Sequence, residues 1–252
     1  MSELENVICG RALRKIMVNE IMKIKKELRN YENEKNAIHC LKFFKTGRGE
    51  YGEGDQFLGI TVPNARIVAK RYSSLSFDNL QILLQSSYHE ERLLAVFILV
   101  NQFTKADEKT RKKIFYFYLK NRKGVNNWDL VDSSADKIVG AYLSDKTKGM
   151  LYKYAKSTNL WERRIAIVST YYFIKENNFD DTIAIAEILL EDKQDLIHKA
   201  VGWMLREVGK RNIKVLENFL QTHCKNIPRT TLRYAIEKFP EKKRKEYLFN
   251  LN

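Results

Sequence analysis

Trp128 and Asp132 stand four residues apart in NNWDLVDSSADKIVG, a spacing that puts both on one helix face, with Asp129 and Asp136 beside them or a turn further on. An acidic group in a chain this rich in cations admits two readings. As an ionised carboxylate, Asp132 can stabilise positive charge developing on a sugar in an oxocarbenium-like transition state, or orient an attacking water. As a structural group it caps a helix or salt-bridges within the stack. Trp203, in KAVGWMLREVGKR, is either a buried aromatic or an indole that stacks on bases and sugars or faces a cation. Trp128 taken alone leaves the same choice between core and site. The WERR segment sets Arg163 and Arg164 side by side, as phosphate contacts or as ion pairs.

Other chemistries are disfavoured by the pattern. GRGEYG, from Gly47 to Gly52, matches G-x-G-x-x-G, but a helical pattern precedes it and Glu50, Glu53 and Asp55 would repel a phosphate. It reads as a tight structured loop. Cys9, Cys40 and Cys224 are scattered, and His39, His89, His198 and His223 are isolated, so neither a disulfide framework nor a metal site is expected, and no cofactor. No Ser–His–Asp or Cys–His arrangement can be read from such separations.

The elements that must position these residues are helices. Only 3 prolines and 11 glycines interrupt 252 residues, too few for a sandwich or barrel, and 44% hydrophobic residues suffice for a sizeable core. Arg11–Tyr31 has helical apolar spacing with a basic opposite face. A helix is expected through AIHCLKFFK, then a Gly-rich loop, then helices over Val62–Ser73 and Phe77–Gln85 and on to the end. The helices that begin near Arg92, Trp128, Arg163, His198 and Arg233 are spaced by 36, 35, 35 and 35 residues. A two-helix period of this length predicts an all-α chain: an α-solenoid of HEAT-like antiparallel helix pairs, a right- or left-curved superhelix with a basic concave groove. One HEAT-like domain is expected over 1–252, with N-terminal helices and the Gly-rich loop in 1–60 and helical repeats in 61–252.

Equivalent positions one repeat apart line up on one surface. Arg92, Trp128, Arg163 or Arg164, His198 or Lys199, and Arg233 therefore read as a ladder along a groove, or as cations that simply open exposed helix faces. Lys+Arg 45 against Asp+Glu 31 gives a net charge of +14, which asks for an anionic partner, nucleic acid first. No apolar run is long enough to span a bilayer, and MSELENVICG lacks the features of a secretory signal, so a cytoplasmic chain without a membrane partner is expected.

NNWDLVDSSADKIVG, LWERRIAIVS, KAVGWMLREVGKR and PRTTLRYAIEKFP, in that order, resemble the bacterial DNA alkylation repair proteins of the AlkD type, and FFKTGRGEYGEGDQFLGITVP resembles that family's N-terminal region. The resemblance covers about Phe43 to Phe239. It implies a HEAT-like solenoid that grips duplex DNA, and glycosylase activity that releases N3- and N7-alkylated purines. It assigns catalytic roles to Trp128 and Asp132, a second site tryptophan to Trp203, a DNA-backbone contact beside the lesion to Arg164, and a supporting contact to Arg206. Arg163, Lys199, Arg233 and Arg92 join the DNA-contact set from the ladder. Asn127 departs from relatives that carry a second tryptophan there.

Such chemistry is coherent with these residues. A purine alkylated at N3 or N7 is cationic and already a good leaving group, so the enzyme must mainly stabilise the sugar cation and supply water. No Schiff-base lysine stands out, which points to a monofunctional hydrolase acting as a monomer on double-stranded DNA containing alkylated purines. The alternatives are a non-catalytic HEAT-repeat protein recognising damaged or branched DNA, and a protein-scaffolding solenoid.

Overall fold

Helix α5 (His89–Lys105) organises the first half of the chain. Leu93 to Leu99 are all buried, apolar around the whole circumference, as befits a helix covered on every side. Its first turn, His89-Glu90-Glu91-Arg92, is buried too, and each of these charges finds a partner. Glu91 pairs with Lys25 (2.7 Å) and Arg29 (3.0 Å), which pins α1 (helical over 19–29) against α5. Glu90 accepts from the backbone N–H groups of Leu58, Gly59 and Ile60 at 3.0, 2.8 and 3.2 Å and so anchors the end of the Gly-rich loop. Helices α2 (Glu34–Phe43), α3 (Val62–Arg71), α4 (Phe77–Leu84) and α6 (Glu108–Lys120) complete the neighbourhood, with α3, α4 and α6 packed on α5.

The computed structural model describes residues 19–249. The chain divides into two compact units, residues 1–130 and 131–252, with the division inside helix α7 (Trp128–Ala135). The expected helix over Arg11–Tyr31 is present from residue 19; its earlier part lies outside the described residues. Among the described residues there is no β-strand, only an isolated bridge between Gln56 and Tyr88.

In the second unit, α7 runs through a π-helical turn (Asp136–Gly140) into α8 (Ala141–Leu143). Helices α9 (Gly149–Ala155), α10 (Leu160–Lys175), α11 (Asp180–Ile188), α12 (Asp195–Arg211), α13 (Ile213–Thr222), α14 (Arg229–Ala235) and α15 (Glu241–Phe249) follow. α10 packs on α9, α11, α12 and the π turn, and α12 packs on α13 and α14 as well. Two glycines let these helices approach closely. A Cβ on Gly140 would lie 2.2 Å from the Ser169 carbonyl oxygen and 2.9 Å from Tyr172, and one on Gly202 would lie 2.5 Å from the Thr231 carbonyl oxygen and from Tyr234. Gly140, Ser169 and Tyr172 recur as Gly202, Thr231 and Tyr234, each 62 residues later, so one packing device serves two places. The chain is all-α, and the helices anticipated near Arg92, Trp128, Arg163, His198 and Arg233 are α5, α7, α10, α12 and α14.

Candidate active site

In the second unit, Asp132 on α7 meets Arg164 on α10 as a two-pronged ion pair. Arg164 Nε donates to Oδ1 at 2.8 Å and Nη2 to Oδ2 at 2.7 Å. The same guanidinium donates through Nη1 to the Leu196 carbonyl at the start of α12. Arg164 is buried, whereas the Asp132 side chain keeps 19% of its surface exposed. A guanidinium fork locks the plane of the carboxylate it binds, so Asp132 is oriented as well as neutralised. α10 is set in place by Asn159, whose Oδ1 accepts from the N–H groups of Trp161 and Glu162.

Trp203 on α12, also in this unit, is half-buried and lies tilted on Tyr171, with ring centroids 5.9 Å apart. Lys175 sits 5.0 Å from the Tyr171 ring centroid and also pairs with buried Asp136 in the π turn. Lys199 pairs with Asp195, and Arg206 with Glu237. Exposed Arg233 lines an open cleft of about 540 Å³ together with Lys199, Tyr234 and Arg244.

In the first unit, half-buried Trp128 opens α7 and caps an aromatic stack. Its indole lies on Phe44, nearly parallel at 5.3 Å, and meets the edge of exposed Phe43 at 5.8 Å. Beneath, Phe44, Phe57 and His89 form a triangular cluster, with Phe44 and Phe57 each 4.8 Å from the imidazole and 4.9 Å from each other. Asn127 is fully buried; its Oδ1 accepts from the Trp128 N–H at 2.8 Å and its amide donates to Asp55 at 3.3 Å. Asn127, at the position where relatives carry a second tryptophan, thus holds the first N–H of α7. His89 Nε2 lies 2.8 Å from Asp129 and its Nδ1 3.4 Å from Asp55. Burial works to lower the imidazole pKa, but the Asp129 charge and hydrogen bond and the Asp55 hydrogen bond outweigh it and raise it to about 9. Asp55 stays below the ordinary carboxyl range despite burial, held there by His89 and Arg92.

The cations spaced by one repeat share a task that spacing alone does not reveal. Arg92 Nη1 donates to the Ser86 carbonyl and Arg163 Nη1 to the Ser157 carbonyl, both at 2.9 Å, and His198 Nε2 approaches the Asp192 carbonyl. Each reaches six residues back and braces the loop entering its own helix. Arg92, 3% exposed, also pairs with Asp55 at 2.8 Å, and Arg163 with Asp192 at 2.5 Å. Of the cations proposed to contact DNA, these two and Arg164 are held by partners of their own chain in buried or nearly buried positions; Arg206, paired with Glu237, is little more open, while Lys199, paired with Asp195, and Arg233 lie on more open surface.

The Gly-rich loop fills its own anion site. Glu50 accepts from the Gly47 N–H and Glu53 from the Gly49 N–H, both at 2.9 Å, so the amides a phosphate would need are taken. That Phe43, Phe44, Asp55, His89 and Asp129 gather around Trp128 is not evident from the sequence. The signal available was the charged His-Glu-Glu-Arg run opening directly onto eight apolar residues, Leu93 to Val100. Among the described residues, no three His, Cys, Asp or Glu side chains converge on a metal position, and no helix is long and apolar enough to cross a membrane.

A model of the family described as DNA alkylation repair enzyme matches residues 24–239. Among curated proteins, none matches the chain. A solved structure titled a predicted DNA alkylation repair enzyme from Enterococcus faecalis is similar at TM-score 0.65 and 17% identity, over 83% of this chain and 97% of that one. AlkD2 from Streptococcus mutans is similar at TM-score 0.54 and 19% identity, over 89% and 99%. So is smu.31 from Streptococcus mutans UA159, at TM-score 0.52 and 19% identity, over 89% and 100%. At these identities the structures establish a shared fold.

Proposed function

The chain belongs to the DNA alkylation repair enzyme family, and from that premise we propose that it is a monofunctional DNA glycosylase acting on cationic N3- and N7-alkylated purines in duplex DNA. The observation that carries this reading is Asp132, a partly exposed carboxylate whose plane is fixed by buried Arg164. Breaking the glycosidic bond sends its electron pair to the cationic purine, which leaves neutral. The sugar is left with oxocarbenium character, and the Asp132 carboxylate stabilises it while orienting a water. The water oxygen bonds to C1′ and its proton passes to the carboxylate or to solvent.

Trp203 supplies an aromatic face for the deoxyribose, and the resemblance to the AlkD type gives Trp128 a role of the same kind. Backbone phosphates fall to Lys199, Arg206 and Arg233. Arg92 and Arg163 act through the fold, and Arg164 acts through Asp132, because pulling a desolvated guanidinium off its partners costs several kcal/mol. The protein works as a cytoplasmic monomer with duplex DNA as its partner and no cofactor.

A second reading has one observation in its favour. The Asp132 charge is compensated by Arg164, as in a purely structural ion pair, which suits a non-catalytic module that recognises damaged or branched DNA. Release of base from N7-methylguanine duplex DNA at low salt, with wild type beside Asp132→Asn, separates the two. Release by wild type that Asp132→Asn lowers by about 10²–10³ supports the glycosylase. Tight binding with no release, from N3-methyladenine DNA either, makes the protein a DNA-shape binder.

A further inference from the structure

We propose that Asp55, His89 and Asp129 form a charged strut that fixes the indole of Trp128, which makes His89 a positioning residue for that aromatic face. The proposal rests on the use of Trp128 by the glycosylase reading. Three connections run from the His89 ring to the indole. Its Nε2 holds Asp129, the residue after Trp128 in the first turn of α7, at 2.8 Å. Its ring packs at a tilt against Phe44, 4.8 Å away, and Phe44 lies nearly parallel to the indole. Its Nδ1 faces Asp55, which accepts from Asn127, and Asn127 in turn caps the Trp128 N–H.

Charge balance makes the strut depend on one proton. Asp55 and Asp129 bring two negative charges, and Arg92 brings one positive charge through its 2.8 Å pair with Asp55. The cluster is neutral only with His89 as imidazolium; losing that proton leaves an uncompensated carboxylate in a site where His89 is 2% exposed. The remaining groups that face it cannot replace the proton. Glu90 on α5 is spent on the amides of Leu58, Gly59 and Ile60. Cys40 on α2 is a thiol whose pKa is pushed up by burial and by Glu90 and Asp129, so it stays neutral. The raised pKa of His89, about 9, agrees with this balance.

The test uses the full chain with Trp161→Phe and Trp203→Phe, so that Trp128 is the one remaining of 3 tryptophans. Its emission maximum is followed from pH 6 to 10. The strut predicts a red shift in one transition with a midpoint near 9. The shift should persist in Cys40→Ser and be absent in His89→Gln, whose indole is already in the high-pH environment at pH 7. An emission flat across this range, or a transition that survives His89→Gln, overturns the proposal. If His89→Gln does not fold, Asp129→Asn provides the same comparison, and the titration of the parent protein still decides. A second arm measures release from N7-methylguanine DNA by the three-tryptophan protein, where His89→Gln should lower the rate at least about fivefold at pH 7 and wild type should lose the same factor above the transition. Emission that responds while release does not keeps the strut and removes Trp128 from the reaction. No release by wild type sinks the glycosylase reading and leaves the emission result standing.

Discussion

Asp132 and Arg164 are 32 residues apart in sequence and share two hydrogen bonds in the second unit. Asp132→Asn keeps an acceptor for one prong of the guanidinium, so the chain should fold with a loss of about 1–3 kcal/mol and bind DNA within about twofold of wild type. Arg164→Ala strands the carboxylate and removes the Leu196 contact, and should cost about 3–5 kcal/mol in urea unfolding. If Arg164→Ala instead leaves stability intact and merely weakens DNA binding, the guanidinium belongs to the phosphate backbone.

His89 makes a separate residue-scale prediction. Its folded pKa, about 9, lies above the ordinary 6.5, so the folded chain holds a proton that the unfolded chain releases. That contribution, about 3 kcal/mol, is complete below pH 6.5 and is lost as pH rises through 9. The midpoint of thermal unfolding should therefore fall between pH 7 and 9.5 in wild type and fall less in His89→Gln. Asp55 works in the opposite direction: its lowered pKa gives stability that is present above the ordinary carboxyl value and lost on acidification.

At the scale of elements, the helices were legible because burying one face of each helix pair imposes a period that survives in the sequence. Their starts at His89, Trp128, Leu160, Asp195 and Arg229 follow it. What the cations at that period do was not legible. Spacing places Arg92, Arg163 and His198 at equivalent points, but whether a guanidinium turns outward or back to a carbonyl six residues earlier depends on loop geometry. The aromatic stack under Trp128 was hidden for a related reason, since it is assembled from α2, the Gly-rich loop, α5 and α7.

Packing at the glycines gives a sharper test of the elements. Gly140→Ala and Gly202→Ala must push α10 or α14 off a carbonyl at 2.2 or 2.5 Å and should destabilise by about 1–3 kcal/mol or more. Gly149→Ala, in α9 with nothing within 4 Å of the new methyl, should stabilise by about 0.5–1 kcal/mol. Equal effects at all three positions in urea titrations would mean that the close approaches do not govern the packing.

On the scale of the whole molecule, a net charge of +14 makes any association with DNA steeply salt-dependent, and the slope separates contact residues from bracing ones. Lys199→Ala and Arg233→Ala should each flatten the plot of log affinity against log salt by about 0.9, with little change in unfolding. Arg92→Ala should leave the slope alone and lower stability. A flattened slope for Arg92→Ala would restore it to the ladder of DNA contacts.

The recurrence of Gly140, Ser169 and Tyr172 as Gly202, Thr231 and Tyr234 makes the second unit extensible by duplication. If residues 141–202 were copied and inserted after Gly202, that glycine would meet the copy's own Ser169 and Tyr172, and the copied Gly202 would meet Thr231 and Tyr234 as before. Each glycine would still meet a hydroxyl residue's carbonyl and a tyrosine Cβ. A chain lengthened in this way should fold, and because stability in stacked helix pairs grows with each interface added, it should unfold later than its parent.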